Sequence, residues 1–391
     1  MPMKFVLYTN SLSAHQLPLA REIVKRVGTE NFRYVYSGEC LQGGAQEVHD
    51  AEPWVIRCTY DPSTVRSSEL STLLETCDVL LTGGLRPTEL IARRLAAGRL
   101  VLYMSERWFK PIPLCIPLFP RLLPGSLRLL VPSYRRMAKK YADWLANDSN
   151  AWYLGIGPWA KKDMMSLGVP ASKIVDWGYF VSPSLSAQTA RRVAPQLPLR
   201  VLWVGRMLDL KRVDTIIKAV VRANRRLTKE GTLQRSVTLS LVGDGPEKAN
   251  LQRLAVKLQG NESNSAIPCI EFRPPVSLAE VRTLMRAHDL YVFSSNGMDG
   301  WGAVVSEAAE EGMVVVGTRE TGASAAMLPP DNLFSVGDVV RLAELFCRVV
   351  RQTSDAPRRI DMAPWRPAAA AERLFKVIEK VANGRSDSGM R

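Results

Sequence analysis

Short apolar runs alternate with stretches of helical periodicity through the first half of the chain. The apolar runs are rich in β-branched and aromatic residues, which is typical of buried strands. They lie at Phe5–Tyr8, Phe32–Tyr36, Trp54–Cys58, Val79–Thr82 and Leu100–Met104. Gln16–Val27 and Glu89–Ala97 have the period of amphipathic helices. This alternation predicts a parallel sheet with helices on both faces.

The same alternation of strand and helix patterns begins again after residue 198. A strong strand signal at Leu199–Gly205 is followed by runs at Thr238–Val242, Ile270–Phe272, Leu290–Phe293 and Val314–Gly317, with helical stretches between them. Two such series predict an α/β protein made of two doubly wound, Rossmann-like domains.

The segment 180–198 separates the two series, because it is polar and contains several prolines. Near the C-terminus, Ala368–Val381 is a good helix former, and the polar residues Asn383–Arg391 that follow it are expected to be a flexible tail. The predicted boundaries are residues 1–185, 186–370 and 371–391.

Composition and cysteine spacing narrow the class of protein. The 391 residues are 46% hydrophobic and 23% charged, which is typical of a globular protein, and no apolar run is long enough for a transmembrane helix. Met1–Tyr8 lacks the apolar core and cleavage site of a signal peptide and reads as a first strand. The six cysteines are scattered, without Cys-x-x-Cys pairs or neighbouring histidines, so we expect no zinc site, no disulfide framework and a cytoplasmic protein.

The chain is strongly basic, with 52 Lys and Arg residues against 38 Asp and Glu, a net charge of +14. Residues 107–142 hold eight cations and no acid, interleaved with bulky apolar residues and prolines. This segment predicts contact with an anionic membrane surface. A core helix with a solvated basic face, next to a proline-rich loop, explains the pattern equally well. We expect no nucleic-acid binding, because no recognition motif accompanies the charge.

The first strand of the second series ends in a pattern that suits a diphosphate. Gly205 allows the backbone to turn sharply, and Arg206 and Lys211 follow outside the carboxyl end of the strand. Ligands bind at that edge of an open α/β sheet, where an Arg fork and a Lys point charge can hold phosphate oxygens. On its own, the pattern is also common among surface cations that bind nothing.

The second motif is Gly243-Asp244-Gly245-Pro246, after the strand at 238–242. It resembles a Gly-rich dinucleotide loop but lacks the third glycine. A tight turn from strand to helix, with Pro246 in the first helical turn, explains it better.

A glycine-containing loop and helix at Asp299–Gly312 form the third motif. We expect the helix to begin near Ala303, with free amides at its start that suit the phosphates of a donor. Glu307 lies one turn in, where its carboxylate can hold two ribose hydroxyls, and Asp299 can hold hydroxyls of a transferred sugar. The next two acids, Glu310 and Glu311, are expected to be solvated helix residues.

A fourth polar loop, Arg319–Ala323, borders the same strand ends and can cover the sugar or a phosphate. In this order the four motifs resemble the retaining glycosyltransferases of the two-domain GT-B type, most closely family 4, the glycosyl transferases group 1. The resemblance covers about residues 199–380. It implies two Rossmann-like domains that face a central cleft, with the C-terminal helix crossing back to the first domain.

The resemblance also implies the roles of individual residues. Glu307 is expected to contact the ribose, Asp299 the donor sugar, and Arg206 with Lys211 the diphosphate. The family usually has Glu where this chain has Asp299, whose shorter arm is expected to alter the choice of sugar or to weaken catalysis. The full set of predicted donor-binding residues is Gly205, Arg206, Lys211, Gly243, Arg273, Gly302, Ala303, Val304 and Glu307.

The resemblance assigns acceptor recognition to the N-terminal domain, which departs further from the family pattern. His15 lies near the start of the helix after the first strand and is interpreted as a substrate contact or as a plain surface residue. Many relatives have a histidine near residue 106, where this chain has Glu106 and Arg107. Glu106 either acts on the acceptor hydroxyl, by orienting it or accepting its proton, or forms a salt bridge to Arg107 or Lys110.

The resemblance implies a retaining hexosyltransferase. We expect it to be metal-independent and without a cofactor, because the sequence has no visible cluster of metal ligands and two cations can substitute for a metal ion. The expected donor is a nucleotide-diphosphate sugar, with UDP favoured over GDP, and the expected acceptor is lipid-linked or a glycan, at the cytoplasmic face of the membrane. A nucleotide-sugar epimerase or hydrolase on the same fold, or an inactive nucleotide-sugar-binding subunit, is the alternative.

Overall fold

The computed structural model describes residues 3–38, 48, 51–58, 68–113, 122–183, 198–231, 237–259 and 269–388. The chain divides into an N-terminal unit, Met1–Ser182 with Ala363–Arg391, and a C-terminal unit, Pro183–Met362. The expected boundaries were 185 and 370. Most of the expected linker, residues 184–197, lies outside the described residues.

The N-terminal unit contains a parallel sheet of seven strands in the order β3-β2-β1-β4-β5-β8-β9. Its strands are β1 (Phe5–Thr9), β2 (Phe32–Tyr36), β3 (Val55–Arg57), β4 (Val79–Gly83), β5 (Leu100–Ser105), β8 (Ala151–Ile156) and β9 (Ile174–Trp177). Between β5 and β8, the short strands β6 (Ile112–Pro113) and β7 (Leu122–Leu123) pair antiparallel. Every residue of β1, β4 and β8 is buried, as expected for central strands covered on both faces.

Six helices of this unit are α1 (Leu17–Val27), α2 (Glu69–Thr76), α3 (Thr88–Ala96), α4 (Pro132–Asn147), α5 (Pro158–Ser166) and the C-terminal α12 (Pro367–Ser388). The return of the last helix to the first unit is confirmed, since α12 packs on α1 and the Arg26 guanidinium lies 5.0 Å from the centroid of the Phe375 ring. The tail prediction was wrong for residues 383–388, which continue α12 because no proline interrupts its hydrogen bonding.

Two strands of the seven-stranded sheet were absent from the prediction. Ala151–Ile156 is an uninterrupted apolar run of six residues, and all six are buried. Its composition could have identified it, since short continuous apolar runs are typical of central parallel strands. Ile174–Trp177 is harder to recognise, because Asp176 interrupts its apolar pattern at an exposed position.

The C-terminal unit contains a parallel sheet of six strands in the order β12-β11-β10-β13-β14-β15. The strands are β10 (Leu199–Val204), β11 (Val237–Val242), β12 (Ile270–Arg273), β13 (Leu290–Phe293), β14 (Val314–Thr318) and β15 (Leu333–Phe334). The helices are α6 (Val213–Lys229), α7 (Lys248–Gln259), α8 (Leu278–Ala287), α9 (Ala303–Glu310), α10 (Gly322–Met327) and α11 (Val339–Arg351). The strand order reverses beside β10, which makes the carboxyl ends of β10 and β13 the switch point where doubly wound sheets bind ligands.

Two acidic residues at the end of α9 correct the sequence interpretation. Glu310 and Glu311 are buried rather than solvated, being 3% and 7% exposed. Arg282 and Arg286 of α8 reach Glu311 at 3.2 and 3.0 Å, so this carboxylate joins two helices. The prediction failed because local periodicity does not reveal cations that arrive from another helix.

The basic segment 107–142 divides into three parts. Trp108 and Phe109 are core residues, and the Phe109 amide donates to the Asp163 carboxylate at 2.8 Å. Residues 114–121 lie outside the described residues. The remainder includes α4, which buries Ala138, Tyr141, Ala142 and Leu145 and exposes Arg135, Arg136, Lys139 and Lys140.

The helix α4 is therefore a core helix with a solvated basic face. Just before it, however, Leu130 and Val131 are 77% and 52% exposed. Among the helices of the described ranges, none has both the length and the apolar character needed to cross a bilayer.

Candidate functional site

A cavity of about 490 Å³ lies at the carboxyl ends of β10, β11 and β12. Three successive loops line it, through Val204, Gly205, Arg206, Val242, Gly243, Asp244, Gly245, Pro275 and Val276. The first two loops contain the motifs that the sequence analysis identified. Pro275 and Val276, in the third loop, were missed.

Backbone hydrogen bonds hold these loops together. The Gly205 amide donates to Val242 O at 3.0 Å, the Gly243 amide to Arg273 O at 3.1 Å, and the Met207 amide to Asp244 O at 2.8 Å. A Cβ atom at residue 243 would lie 2.0 Å from Gly205 O, so only glycine permits this approach. The turn occupies residues 246–247 and α7 begins at Lys248, so Pro246 precedes the helix instead of lying in its first turn.

The two arginines predicted for this site differ in their surroundings. The Arg206 side chain is exposed beside the cavity, and within the described ranges no residue hydrogen-bonds its guanidinium. Arg273 pairs with Glu271 at 2.8 Å and does not line the cavity, although its carbonyl fixes Gly243. Arg206 is thus a cation available to an incoming anion, whereas Arg273 contributes through its backbone.

Lys211 and Asp299 form an ion pair, with both side chains mostly shielded from solvent. The backbone around Lys211 is fixed from β13, because the buried Ser294 hydroxyl donates to Lys211 O at 2.6 Å and the Asn296 amide donates to Leu210 O at 2.9 Å. The Lys211 ammonium also lies 5.7 Å from the centroid of the Phe293 ring. The ion pair therefore joins Lys211, which is predicted to contact the diphosphate, to Asp299, which is predicted to contact the donor sugar.

Glu307 lies on α9, half-buried, near the same strand ends. The buried Tyr291 of β13 donates its hydroxyl to Val204 O, at the end of β10, at 3.1 Å. Burial raises the pKa of Tyr291, and the negative charges of Glu307 and Asp299 raise it further. Both carboxylates thus act on a hydroxyl that is bonded to the last residue of β10.

The helix α9 begins at Ala303, as predicted. Its N-cap, Gly302, has φ of 91°, and a Cβ atom there would lie 2.4 Å from the Phe293 ring. Because glycine has no side chain, no side-chain cap bonds the first amides of the helix. The Ala303 and Val304 amides therefore have the orientation and the helix dipole that favour an anion.

The fourth motif, Arg319–Ala323, joins the third through its backbone. The Gly322 amide donates to Gly300 O at 3.0 Å, and the Ala323 amide donates to Trp301 O at 2.9 Å. The Glu320 carboxylate instead accepts from the Val336 amide at 3.3 Å, and burial raises its pKa. The loop 319–323 therefore supports the glycine-containing loop through its backbone. The Glu320 carboxylate is bonded to the backbone that precedes α11.

One family model matches part of the C-terminal unit. Residues 198–352 match the model of a family described as glycosyl transferases group 1. This part of the chain is therefore similar to glycosyl transferases group 1. No curated protein matches the sequence of the chain.

Solved glycosyltransferase structures share the fold of this chain over nearly its whole length. A lipopolysaccharide outer core galactosyltransferase, WaaB, is 15% identical with a TM-score of 0.65 over 97% of this chain and 99% of its own. HepE of Anabaena, in complex with UDP, is 17% identical with a TM-score of 0.61 over 98% and 100%. A UDP-forming trehalose-phosphate synthase from Burkholderia xenovorans is 12% identical with a TM-score of 0.61 over 97% and 99%. These similarities confirm the GT-B fold.

In the N-terminal unit, the predicted residues His15 and Glu106 meet at Tyr179. The His15 and Tyr179 rings stack with centroids 6.1 Å apart and an interplanar angle of 27°. The Tyr179 hydroxyl donates to Glu106 at 3.3 Å, and Lys110 pairs with Glu106 at 2.7 Å. Arg107 lies 3.7 Å from Asp163 instead. The expected salt bridge of Glu106 is thus to Lys110.

Tyr179 was missed because no local motif marks it. Burial raises its pKa, and the negative charge of Glu106 raises it further, so the phenol stays protonated and donates. The sequence analysis missed Pro275, Val276 and Tyr291 for a related reason. Each of them follows or belongs to a strand of the C-terminal sheet, but only the strand order shows that they border the edge of the sheet where the ligand is expected.

Proposed function

We propose that this glycosyltransferase transfers a sugar, with retention of configuration, from a UDP-sugar to a lipid-linked or glycan acceptor. The observation that carries the donor part is Arg206, an exposed cation without a described partner beside the 490 Å³ cavity. The Lys211–Asp299 pair and the α9 amides support it, since both lie at the same switch point of the sheet. The complex of HepE with UDP is a further reason to favour this nucleotide.

The proposed chemistry is mainly electrostatic. Negative charge grows on the diphosphate as it leaves, and Arg206, Lys211 and the Ala303 amide are the groups that would stabilise it. The same cations would make a metal ion unnecessary, so we infer that a chelator leaves activity intact. Asp299 would hold hydroxyls of the transferred sugar, and Glu307 those of the ribose.

The Lys211–Asp299 pair implies a rearrangement when the donor binds. In the free protein the ammonium is bonded to the carboxylate of Asp299. A diphosphate would draw the ammonium toward its oxygens, and the carboxylate would then turn to sugar hydroxyls. The predicted roles of Lys211 and Asp299 are compatible, because the diphosphate and the sugar belong to the same donor molecule.

The membrane part of the proposal is supported by the surface before and along α4. Leu130 and Val131 expose apolar side chains, and Arg135, Arg136 and Lys139 lie exposed within the next two turns. Apolar side chains that enter the headgroup region beside cations suit an anionic leaflet. An enzyme that acts on a lipid-linked acceptor would need such a surface at the cytoplasmic face.

The function is tested by incubating the protein with UDP-sugars, with and without lipid-linked and glycan acceptors, while UDP release and the anomeric configuration of the product are measured. We expect acceptor-dependent UDP release and a product with the anomeric configuration of the donor. Conversion of donor without an acceptor would favour the epimerase or hydrolase, and donor binding without turnover would favour the inactive subunit. An inverted product would contradict retention.

The membrane part is tested by flotation with vesicles that contain anionic phospholipid at low salt. We expect the protein to bind, and the substitution Leu130→Asp to reduce binding at least fivefold, since it places a charge at the apolar contact. Val256→Asp is the matched control, because Val256 is 70% exposed on α7 of the other unit. Equal binding by the wild type and both variants would contradict this part.

A further inference from the structure

The loop that follows β5 carries Glu106 and Lys110, whose side chains pair at 2.7 Å. We call residues 106–110 the β5 loop. Between its two charged ends, the Trp108 and Phe109 side chains are buried. The position of the Glu106 carboxylate therefore depends on what holds the buried centre of the loop.

Asp163 of α5 holds this centre. Its side chain is 7% exposed, and its Oδ2 atom accepts from the Phe109 amide at 2.8 Å. Its Oδ1 atom lies 3.7 Å from the Arg107 guanidinium. Burial raises the pKa of this carboxyl, whereas the amides of Phe109 and Trp108 and the charge of Arg107 act against that rise. Three consecutive residues of the β5 loop thus converge on one buried carboxylate.

A negative charge at this place does more than accept hydrogen bonds. Burying a carboxylate is costly unless it is paired with a cation. A neutral amide oxygen has two lone pairs and could accept from the same backbone amides. It could not hold Arg107 by charge. Within the described ranges, Asp163 is the one acid that pairs with Arg107.

The partner of Arg107 matters to Glu106, because the two acids lie in the same part of the unit. Burial raises the pKa of Tyr153, a residue of β8, and the negative charges of Asp163 and Glu106 raise it further. Both carboxylates therefore act on one buried hydroxyl. An Arg107 side chain released from Asp163 would have Glu106, its neighbour in sequence, close by.

We propose that Asp163 is a positioning residue for acceptor recognition. It fixes the β5 loop through backbone amides, and its charge draws Arg107 away from Glu106. The Glu106 carboxylate then keeps its hydrogen bond from Tyr179. This inference rests on the proposed function, in which the protein transfers a sugar to an acceptor.

The test measures the KM of the full chain for the acceptor that supports UDP release by the wild type, together with UDP affinity by titration. Asp163→Asn keeps an oxygen for the Phe109 amide and removes the charge that holds Arg107. We expect the acceptor KM to rise about fivefold, the value of a partly exposed ion pair between Arg107 and Glu106. UDP affinity should stay within twofold. An unchanged acceptor KM would overturn the proposal.

A second variant separates positioning from a purely structural role. Arg107→Ala/Asp163→Asn also removes the cation that the first substitution releases. It should return the acceptor KM to within twofold of the wild type. If Asp163 only stabilised the fold, the second substitution would leave the KM raised, and that result would overturn the proposal.

The matched control is Asp289→Asn in the C-terminal unit. The Asp289 side chain is 5% exposed and accepts from the Arg200 amide at 3.1 Å and from the Arg200 guanidinium at 2.8 Å. It resembles Asp163 in burial and in partners, but it precedes β13, at the end of the strand opposite the ligand edge. This variant should leave the acceptor KM within twofold, and a rise equal to that of Asp163→Asn would overturn the proposal.

Hydrogen exchange tests the anchor without turnover. Asp163→Leu removes both carboxylate oxygens, so exchange of the Phe109 amide should become at least about tenfold faster, the value of a hydrogen bond to a charged group. An unchanged rate would contradict the anchor. Absence of acceptor-dependent UDP release by the wild type would instead contradict the proposed function, and the exchange rate would still decide whether Asp163 fixes the β5 loop.

Discussion

The two units use their polar groups differently. In the C-terminal unit, a cation of the candidate site, Arg206, is exposed without a described partner, and the backbone amides that begin α9 have no side-chain cap. In the N-terminal unit, Glu106 already holds both Lys110 and Tyr179. Arg206 and these amides can receive an anion without breaking a bond. The N-terminal arrangement is a network that positions its members, so substitutions in the two units should affect different steps.

The largest effect is expected from removing a donor ligand of the C-terminal unit. Lys211→Ala should reduce kcat/KM at least 100-fold, because a group that stabilises charge in the transition state contributes about that much. Glu307→Ala should reduce it by a similar factor, because two hydrogen bonds from ribose hydroxyls to a carboxylate together contribute about 3 kcal/mol or more. Steady-state UDP release measures the loss. Lys257→Ala, at an exposed lysine of α7 that does not line the cavity, is the control and should retain activity. If both site variants were fully active, the donor site would be elsewhere.

Removal of the Asp299 carboxylate is expected to have two smaller effects of opposite sign, one on UDP binding and one on turnover. Because its carboxylate holds Lys211 in the free protein, Asp299→Ala should release the ammonium and tighten UDP binding by about fivefold, the value of a partly exposed ion pair. Turnover should fall, since the sugar loses a ligand. Titration with UDP and a turnover assay separate the two effects. Weaker UDP binding would mean that the pair organises the phosphate site instead of competing with it.

In the N-terminal unit, Tyr179→Phe removes one hydrogen bond and keeps the ring that stacks on His15. We expect the KM for the acceptor to rise by about tenfold, the lower end of the about 1.5–3 kcal/mol that a single hydrogen bond to a charged group contributes. UDP affinity should be unchanged. Kinetics at varied acceptor and titration with UDP test this, and a change confined to UDP affinity would remove the distinction between the units.

The smallest effect concerns a histidine that lies outside both sites. His288 donates through Nδ1 to Leu284 O at 2.7 Å, and Nε2 lies 3.0 Å from the Ser240 hydroxyl. Burial lowers its pKa below the ordinary value of about 6.5. The unfolded chain then binds the proton more readily, so the contribution to stability is full above pH 6.5 and is lost as the pH falls below it.

His288→Gln should therefore reduce the fall in Tm between pH 7 and pH 5 by about 2 °C, with no effect on UDP binding at pH 7. Thermal unfolding across this pH range measures the difference. An unchanged pH dependence would show that His288 titrates as it does in the unfolded chain.

The contrast between the two units also explains which of their features could be predicted from the sequence. The donor motifs are contiguous and follow consecutive strands, so Gly205, Arg206 and Gly243 could be assigned to one ligand edge from their order alone. Tyr179 could not, because it meets Glu106 across 73 residues. Glu311 was misassigned for the same reason, as its partners come from another helix. Charges that are close in space but distant in sequence have no periodic pattern.

The central claim is that the C-terminal unit binds the diphosphate of the donor through Arg206 and Lys211. Calorimetric titration with UDP tests it directly, on the wild type, on Arg206→Ala/Lys211→Ala and on Glu106→Gln. We expect saturable binding by the wild type, at least a tenfold loss in the double variant and an unchanged affinity in Glu106→Gln. Equal UDP affinity in the wild type and the double variant, or no binding by the wild type, would contradict the claim.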